Sequence, residues 1–423
     1  MGRWLWIRKR QWFGLVLLLG LAGILCILQM EIIPISEQPF LPLITVQAHL
    51  YNYVHVHAAN GVSEKNSTQT ATKKNRTAIC LIGGARKFEL TGPSLLEYVV
   101  NMYNNSDVFL HAPLDNDTYK FSVLKEASSG LAEVRIFTPQ RINETTLQAE
   151  VFTSNGSPNG LQGLLQYFNL VEGCLTMIKS YQTKHNVEYD WIVRTRVDGY
   201  WNGPLPSPET YSNKSYIVPV GSEYKGLNDR LGIGDMETSE AALSRISLIP
   251  LLHESGYRKL NSEAAFQHQL DVKGVNYTLK TFPFCILSEH KYIWPIPSWG
   301  VPVASISSKE DLNGAYCRPC TPVLKGTGAM TYIEKRLRRP WSWIVPTPGI
   351  ELCNARDEWK ENWEHIFDEA AGPKFSAVRH KFKNYTVTDC IIDFEALKQK
   401  TTDWDAPPPE TICNIHFQHS QID

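Results

Sequence analysis

Two arginines and a carboxylate alternate within Tyr189-Asp-Trp-Ile-Val-Arg-Thr-Arg-Val-Asp-Gly-Tyr-Trp201. Successive side chains of a strand point to opposite faces, so Asp190, Ile192, Arg194, Arg196 and Asp198 share one face. Trp191, Val193, Thr195 and Val197 share the other. Arg194, Arg196 and Asp198 then converge at the carboxyl end of the strand, just before Gly199. A carboxylate there can hold a divalent cation or a ribose hydroxyl, and guanidinium forks match diphosphate oxygens. The same residues equally make a self-satisfied Asp/Arg ion-pair network.

Three further segments carry candidate chemistry. Gly83-Gly84-Ala-Arg86 follows the first apolar run; its glycines let backbone approach a ligand and Arg86 can reach a phosphate, although a plain tight turn reads the same. Gly226-Leu-Asn-Asp-Arg-Leu-Gly-Ile-Gly-Asp235 is a polar loop in which Asp229 is a candidate acid or forms a local salt bridge with Arg230. Asn261-Ser-Glu-Ala-Ala-Phe-Gln-His-Gln-Leu270 reads as a short helix, with Glu263 either a working acid or a complement to the helix dipole. His111, at a strand end, is a lone candidate base or a core histidine, and Trp191, Tyr200, Trp201, Trp294 and Trp299 are sugar-stacking or core aromatics. No G-x-x-x-x-G-K-[ST], G-x-S-x-G or H-E-x-x-H occurs, which disfavours P-loop, serine-hydrolase and zincin chemistry.

The elements that must position these residues are legible as apolar runs. Thr77–Ile82 is a continuous one closed by Gly83-Gly84, the pattern of a buried strand feeding a turn. Asp107–Ala112, Glu133–Phe137, Tyr189–Val197 and Tyr216–Val220 follow. Between them, Leu161, Leu164, Leu165, Phe168, Val171, Leu175 and Ile178 draw one stripe of a helix reaching about Lys184. Strands alternating with helices predict an α/β fold with a mostly parallel sheet and flanking helices, whose ligand lies at the carboxyl ends of the strands. Residues 77–300 are expected to form that domain and the Cys-, Trp- and Pro-rich residues 301–423 a C-terminal subdomain.

The N-terminal portion reads as a membrane tether. Residues 1–11 form a basic tail, 12–33 an apolar anchor and 34–76 a flexible stem without periodicity. Arg3, Arg8, Lys9 and Arg10 hold the tail in the cytosol and send the remainder across, although a cleaved signal peptide shares this layout. Nine Asn-x-Ser/Thr sequons lie beyond the anchor, at Asn66, Asn75, Asn104, Asn116, Asn143, Asn155, Asn213, Asn276 and Asn384. Eight of nine cysteines follow it too, an even count that reads as disulfides in an oxidising lumen. Cys317 and Cys320 have the spacing of a redox or zinc pair, and Cys80 is a candidate buried thiol. With 42 basic and 43 acidic residues, the net charge of −1 gives no footprint for nucleic acid.

Tether, stem and the strand Y-D-W-I-V-R-T-R-V-D together resemble Golgi glycosyltransferases of the GT-A fold, marked by an Asp-x-Asp at this strand end. Arg196-Val197-Asp198 keeps the second acid and has Arg in place of the first, which puts the metal in question. The resemblance implies a Rossmann-like, GT-A-like core, a nucleotide-sugar donor, Mn2+ or Mg2+ as cofactor, and a glycan or glycoprotein acceptor. By the same resemblance Asp198 would contact ribose or metal, Arg194 and Arg196 the diphosphate, and Gly83, Gly84 and Arg86 the nucleotide. Glu263 or Asp229 would be the acceptor-side acid. From Thr77 onward, the opening I-C-L-I-G-G-A-R-K-F-E-L-T-G-P-S is also similar to a family of plant type II membrane proteins of uncharacterised activity. A non-catalytic glycan-binding or scaffolding protein of the same fold is the alternative.

Overall fold

A computed structural model describes residues 75–154, 159–212, 214–292, 298–336 and 341–419. The expected tail, anchor and most of the stem, with Asn66, Asn155, Asn213 and Trp294, lie outside the described residues. Among the described residues no helix is long and apolar enough to cross a membrane.

The chain begins with β1 (Thr77–Ile82), α1 (Phe88–Tyr98), β2 (Ser106–Pro113), a 3-10 segment (Thr118–Glu126) and β3 (Leu131–Phe137). It continues through α2 (Thr146–Val151), α3 (Gly160–His185) and β4 (Trp191–Arg196). Next come β5 (Gly199–Trp201), β6 (Ser215–Pro219), β7 (Glu223–Tyr224), β8 (Leu231–Gly234), α4 (Met236–Leu243) and α5 (Ile249–Glu254). α6 (Ser262–Val272), β9 (Asn276–Lys280), β10 (Phe284–Leu287), β11 (Ala304–Ser305), β12 (Tyr316–Arg318) and β13 (Leu324–Lys325) follow. The C-terminal stretch adds α7 (Gly326–Glu334), β14 (Trp341–Ser342), β15 (Glu351–Leu352), α8 (Trp363–Lys383), α9 (Val387–Gln399), β16 (Thr401–Asp405) and α10 (Pro409–His419).

An eight-stranded sheet runs β16-β3-β2-β1-β4-β8-β6-β9, parallel throughout except that β8 is antiparallel to β4 and β6. β1 is buried along its whole length, as its unbroken apolar run requires of a strand covered on both faces. The alternation expected for β4 holds. Trp191, Val193 and Val197 pack into the core that also contains Ile79 and Leu81, while Ile192 packs with Cys80 and Ile82 on the other face. Each buried aliphatic side chain contributes about 1.5–3 kcal/mol on leaving water. α3 lays its stripe of Leu164, Leu165, Phe168, Val171 and Ile178 inward and ends at Asn186, whose left-handed φ of 52° caps it.

Four disulfides join Cys80–Cys174, Cys285–Cys317, Cys320–Cys353 and Cys390–Cys413. Cys80 is therefore not a free thiol: it faces α3 and staples that helix to β1. Cys317, within β12, pairs with Cys285 of β10, and Cys320, beyond the end of that strand, pairs with Cys353, so they form neither a redox pair nor half a zinc site.

Residues 301–423 do not stand apart as a subdomain. β16 returns to the edge of the large sheet beside β3, and Tyr385, Cys390, Phe394, Leu397 and Cys413 join the central core. A second sheet, ordered β13-β15-β11-β12-β10-β5, mixes strands from both sides of residue 300, and residues 71–423 form one compact unit. β4 leaves the first sheet at Arg196 and β5 enters the second at Gly199, so Asp198 lies at the seam between them. Of the described sequon asparagines, Asn75, Asn104, Asn116, Asn143, Asn276 and Asn384 are all exposed.

Candidate functional site

β2 and β3 lie to one side of β1 and β4 to the other, so the strand order reverses between β1 and β4. Connections then diverge and leave a crevice beyond the carboxyl ends of these two strands. Gly83 and Gly84 emerge there from β1, Val197 and Asp198 from β4, joined by a hydrogen bond from the Val197 amide to the Ile82 carbonyl at 3.0 Å. Gly83 has φ +121°, so that position needs glycine for structural reasons as well, while a Cβ on Gly84 would meet only the Asp115 carboxylate tip. Buried Lys120 holds this turn from beneath, donating to the Arg86 carbonyl and pairing with Glu89 at 3.1 Å and Asp117 at 2.8 Å. The Arg86 side chain remains exposed.

Arg196 grips Asp198 in a two-pronged pair, Nε to Oδ1 at 2.8 Å and Nη2 to Oδ2 at 2.5 Å. Burial raises the Asp198 carboxyl, yet the Arg196 charge and hydrogen bonds outweigh it, helped by Arg86 and Arg230, and hold it below the usual range. Two clefts meet at this pair. One, of about 750 Å³, is lined by Gly83, Gly84, Arg141, Gln162, Gln166 and Tyr167; the other, of about 640 Å³, by Lys87, Ser288, His290, Tyr292 and Tyr316. Arg86, Arg196 and Asp198 line both.

Arg194 does not join them. It is 1% exposed, and its guanidinium donates to the Asp229 carbonyl beneath Tyr167 and Tyr216. Alternation puts it on the same face as Arg196, but roughly 6–7 Å deeper along the strand, inside the layer rather than at its rim. Asp229 is likewise absent from both cleft walls. It accepts from Ser262 Oγ at 2.6 Å and lies 3.6 Å from Arg245, and against its burial those partners and Arg194 hold its carboxyl low. Asp229 thereby ties the 226–230 loop to the start of α6.

Glu263, in the first turn of α6, behaves in the opposite way: burial, then the adjacent Asp229 charge, push its carboxyl up to about 7. Its carbonyl accepts from the Leu227 amide at 3.2 Å. It lines neither cleft, although it feels the charge of Arg230, whose guanidinium stands 4.4 Å over the Tyr316 ring.

Tyr292 and Tyr316 carry no signal in the sequence that marks them for a site, and Arg230 is marked there only through its place beside Asp229. The Tyr292 and Tyr316 rings lie 5.4 Å apart, and Tyr292 Oη meets Ser288 Oγ at 3.0 Å. His111 is a core histidine: burial lowers it to about 4, and Nδ1 lies 2.9 Å from the Leu170 carbonyl. Trp191, Tyr200 and Trp201 are core residues as well, whereas Trp299 is exposed.

A divalent cation does not fit this donor set. Both Asp198 oxygens are engaged by Arg196, and among the described residues no group of three or more His, Cys, Asp or Glu could hold a metal ion.

No curated protein matches the sequence. Among solved structures, the chain is similar to mouse xyloside xylosyltransferase 1 in its apo form, at TM-score 0.31 and 10% identity over 49% of this chain and 86% of that one. Residues 72–419 match the family described as "Domain of unknown function (DUF7796)", and the chain belongs to that family.

Proposed function

We propose that the protein is a glycosyltransferase of the Golgi membrane. In this reading the nucleotide-diphosphate sugar occupies the cleft beside Gly83 and Gly84, and a glycan or glycoprotein acceptor occupies the cleft beside Tyr292 and Tyr316. The observation that carries it is the meeting of the two clefts at Arg86, Arg196 and Asp198, in the crevice where the strand order of a mostly parallel sheet reverses. Four disulfides and nine sequons support a lumenal setting, and the apolar 12–33 segment supports type II anchoring.

In the transfer, the acceptor hydroxyl oxygen forms a bond to the anomeric carbon while the bond from that carbon to the diphosphate oxygen breaks, its electron pair leaving with the diphosphate. The hydroxyl proton passes to a carboxylate. Asp198, which borders both clefts, and Glu289, which lines the acceptor cleft, are the carboxylates placed to receive it, whereas Glu263 lines neither cleft. Arg86 and Arg196 meet the charge that develops on the departing diphosphate.

A second reading, a glycan-binding or scaffolding protein, is favoured by one fact: Arg196 and Asp198 satisfy each other. Thermal unfolding of the protein with a panel of nucleoside diphosphates and nucleotide sugars separates the two. A bound donor at 100 times its dissociation constant adds about 2.7 kcal/mol. Stabilisation by one base, with sugar release or transfer from that donor, is expected of the transferase. A folded protein that no nucleotide stabilises, yet that binds glycan, would leave the second reading.

A further inference from the structure

The first cleft is lined by three arginines, Arg86, Arg141 and Arg196, and by a single acid, Asp198. That acid is already spent on Arg196 Nε and Nη2. Arg141 stands at the rim with its side chain 79% exposed and a 3.3 Å pair to Glu144, while Arg86 is exposed at the turn after β1. Arg230 approaches the same carboxylate from the side of the second cleft, braced on the Tyr316 ring and on the Gly314 carbonyl.

We propose that this cleft holds a diphosphate through guanidinium groups alone, Arg86 and Arg196 as the principal ones and Arg141 at the rim, with no divalent cation taking part. The proposal rests on the nucleotide-binding reading above and specifies how its charge is met. A guanidinium carries five N–H donors, of which the Asp198 clamp uses one at Nε and one at Nη2. The clamp fixes the plane of the fork and leaves Nη1 without a partner among the described residues, so the remaining donors are oriented before any ligand arrives. A divalent cation seeking Asp198 would instead have to displace Arg196 and settle beside Arg86, against both charges and with one carboxylate for a ligand set.

The test is isothermal titration of the full chain in detergent with UDP, GDP and inorganic pyrophosphate, each in EDTA and in manganese. Pyrophosphate lacks a base and reports on the diphosphate site alone. Binding is expected in EDTA, changing less than about threefold with manganese, and weakening about tenfold or more in Arg86→Ala, the worth of one or two charge-assisted hydrogen bonds. Arg196→Lys, which keeps the charge and loses the fork, is expected to weaken it similarly while the protein stays folded. Binding that requires manganese and vanishes in Asp198→Asn while Arg86→Ala is silent would overturn the inference and leave the donor reading standing. Binding in EDTA that neither arginine variant alters would remove these residues from the site. No binding of any probe in either buffer, by folded protein, would overturn the inference and the transferase reading together.

Discussion

At the scale of single residues, the Arg196 clamp fixes the one carboxylate, Asp198, that borders both clefts. Arg196 and Asp198 stand where strand alternation put them, but Arg194, equally prominent in the text, is sealed in the core. Alternation decides which face a side chain takes, and says nothing of how deep along the strand the neighbouring layer reaches. Asp198→Ala is expected to destabilise the fold by about 1–3 kcal/mol, since it strands a mostly buried guanidinium, less than a fully buried pair would lose because Arg196 is 28% exposed. A chemical-denaturation midpoint would measure it; an unchanged midpoint would mean the pair is not formed. Glu263 makes a second prediction. Its folded carboxyl, near 7, lies above the ordinary unfolded value of about 4.3, so the folded state holds this proton more tightly. Stability from this group is complete below the unfolded value and falls as pH rises through about 7. Glu263→Gln should therefore gain on the parent by about 2–3 kcal/mol between pH 5 and pH 8, and parallel stability curves for the two proteins would refute the buried acid.

Elements were legible wherever the apolar period was unbroken. β1, β2, β3, β4, β6, α3 and α6 all formed where the sequence expected them, because a run buried on both faces or a single helical stripe has few alternatives. The two-residue strands β11, β13 and β15 carry no such period and exist only by pairing with one another and with β12. How elements lock together depends on contacts remote in sequence, and Gly226 shows it. A Cβ there would overlap the backbone of Glu263 and Ala264 at the start of α6, neither of which can yield as a side-chain tip would. Gly226→Ala is expected to destabilise by about 1–3 kcal/mol through overpacking, measured by urea denaturation, and also to weaken ligand binding by shifting Arg230. Replacing both Cys80 and Cys174 by Ala removes the staple between β1 and α3, whose 94-residue separation predicts a loss of about 2–5 kcal/mol. A double variant as stable as the parent would show the bridge to be dispensable.

For the whole molecule, the expected boundary at residue 300 gives way to one unit that closes on itself. β16 covers the free edge of β3, and β11, β12, β13 and β15 complete a sheet begun by β5 and β10. A chain ending at residue 300 would expose the edge of β3 and leave β10 with β5 alone. Expressed through the secretory route, residues 71–300 are expected to be retained or aggregated and residues 71–423 to be secreted and protease-resistant. Secretion of a shorter chain that unfolds cooperatively would restore the two-domain division.

What the sequence by itself determined was the α/β class, the strands and helices with strong periodicity, the disulfide bonding expected of its even cysteine set, and the strand end on which Arg196 and Asp198 meet. These are local properties, written in neighbours along the chain. Only the tertiary structure decided that Cys80 pairs with Cys174, that Arg194 and Asp229 are buried supports, and that Tyr292 and Tyr316 line the second cleft with Arg230 stacked on Tyr316. Those outcomes turn on which side chains from distant segments reach one point, and on how much water is left there, and both are fixed by how the chain passes from one sheet to the other at the Asp198 seam.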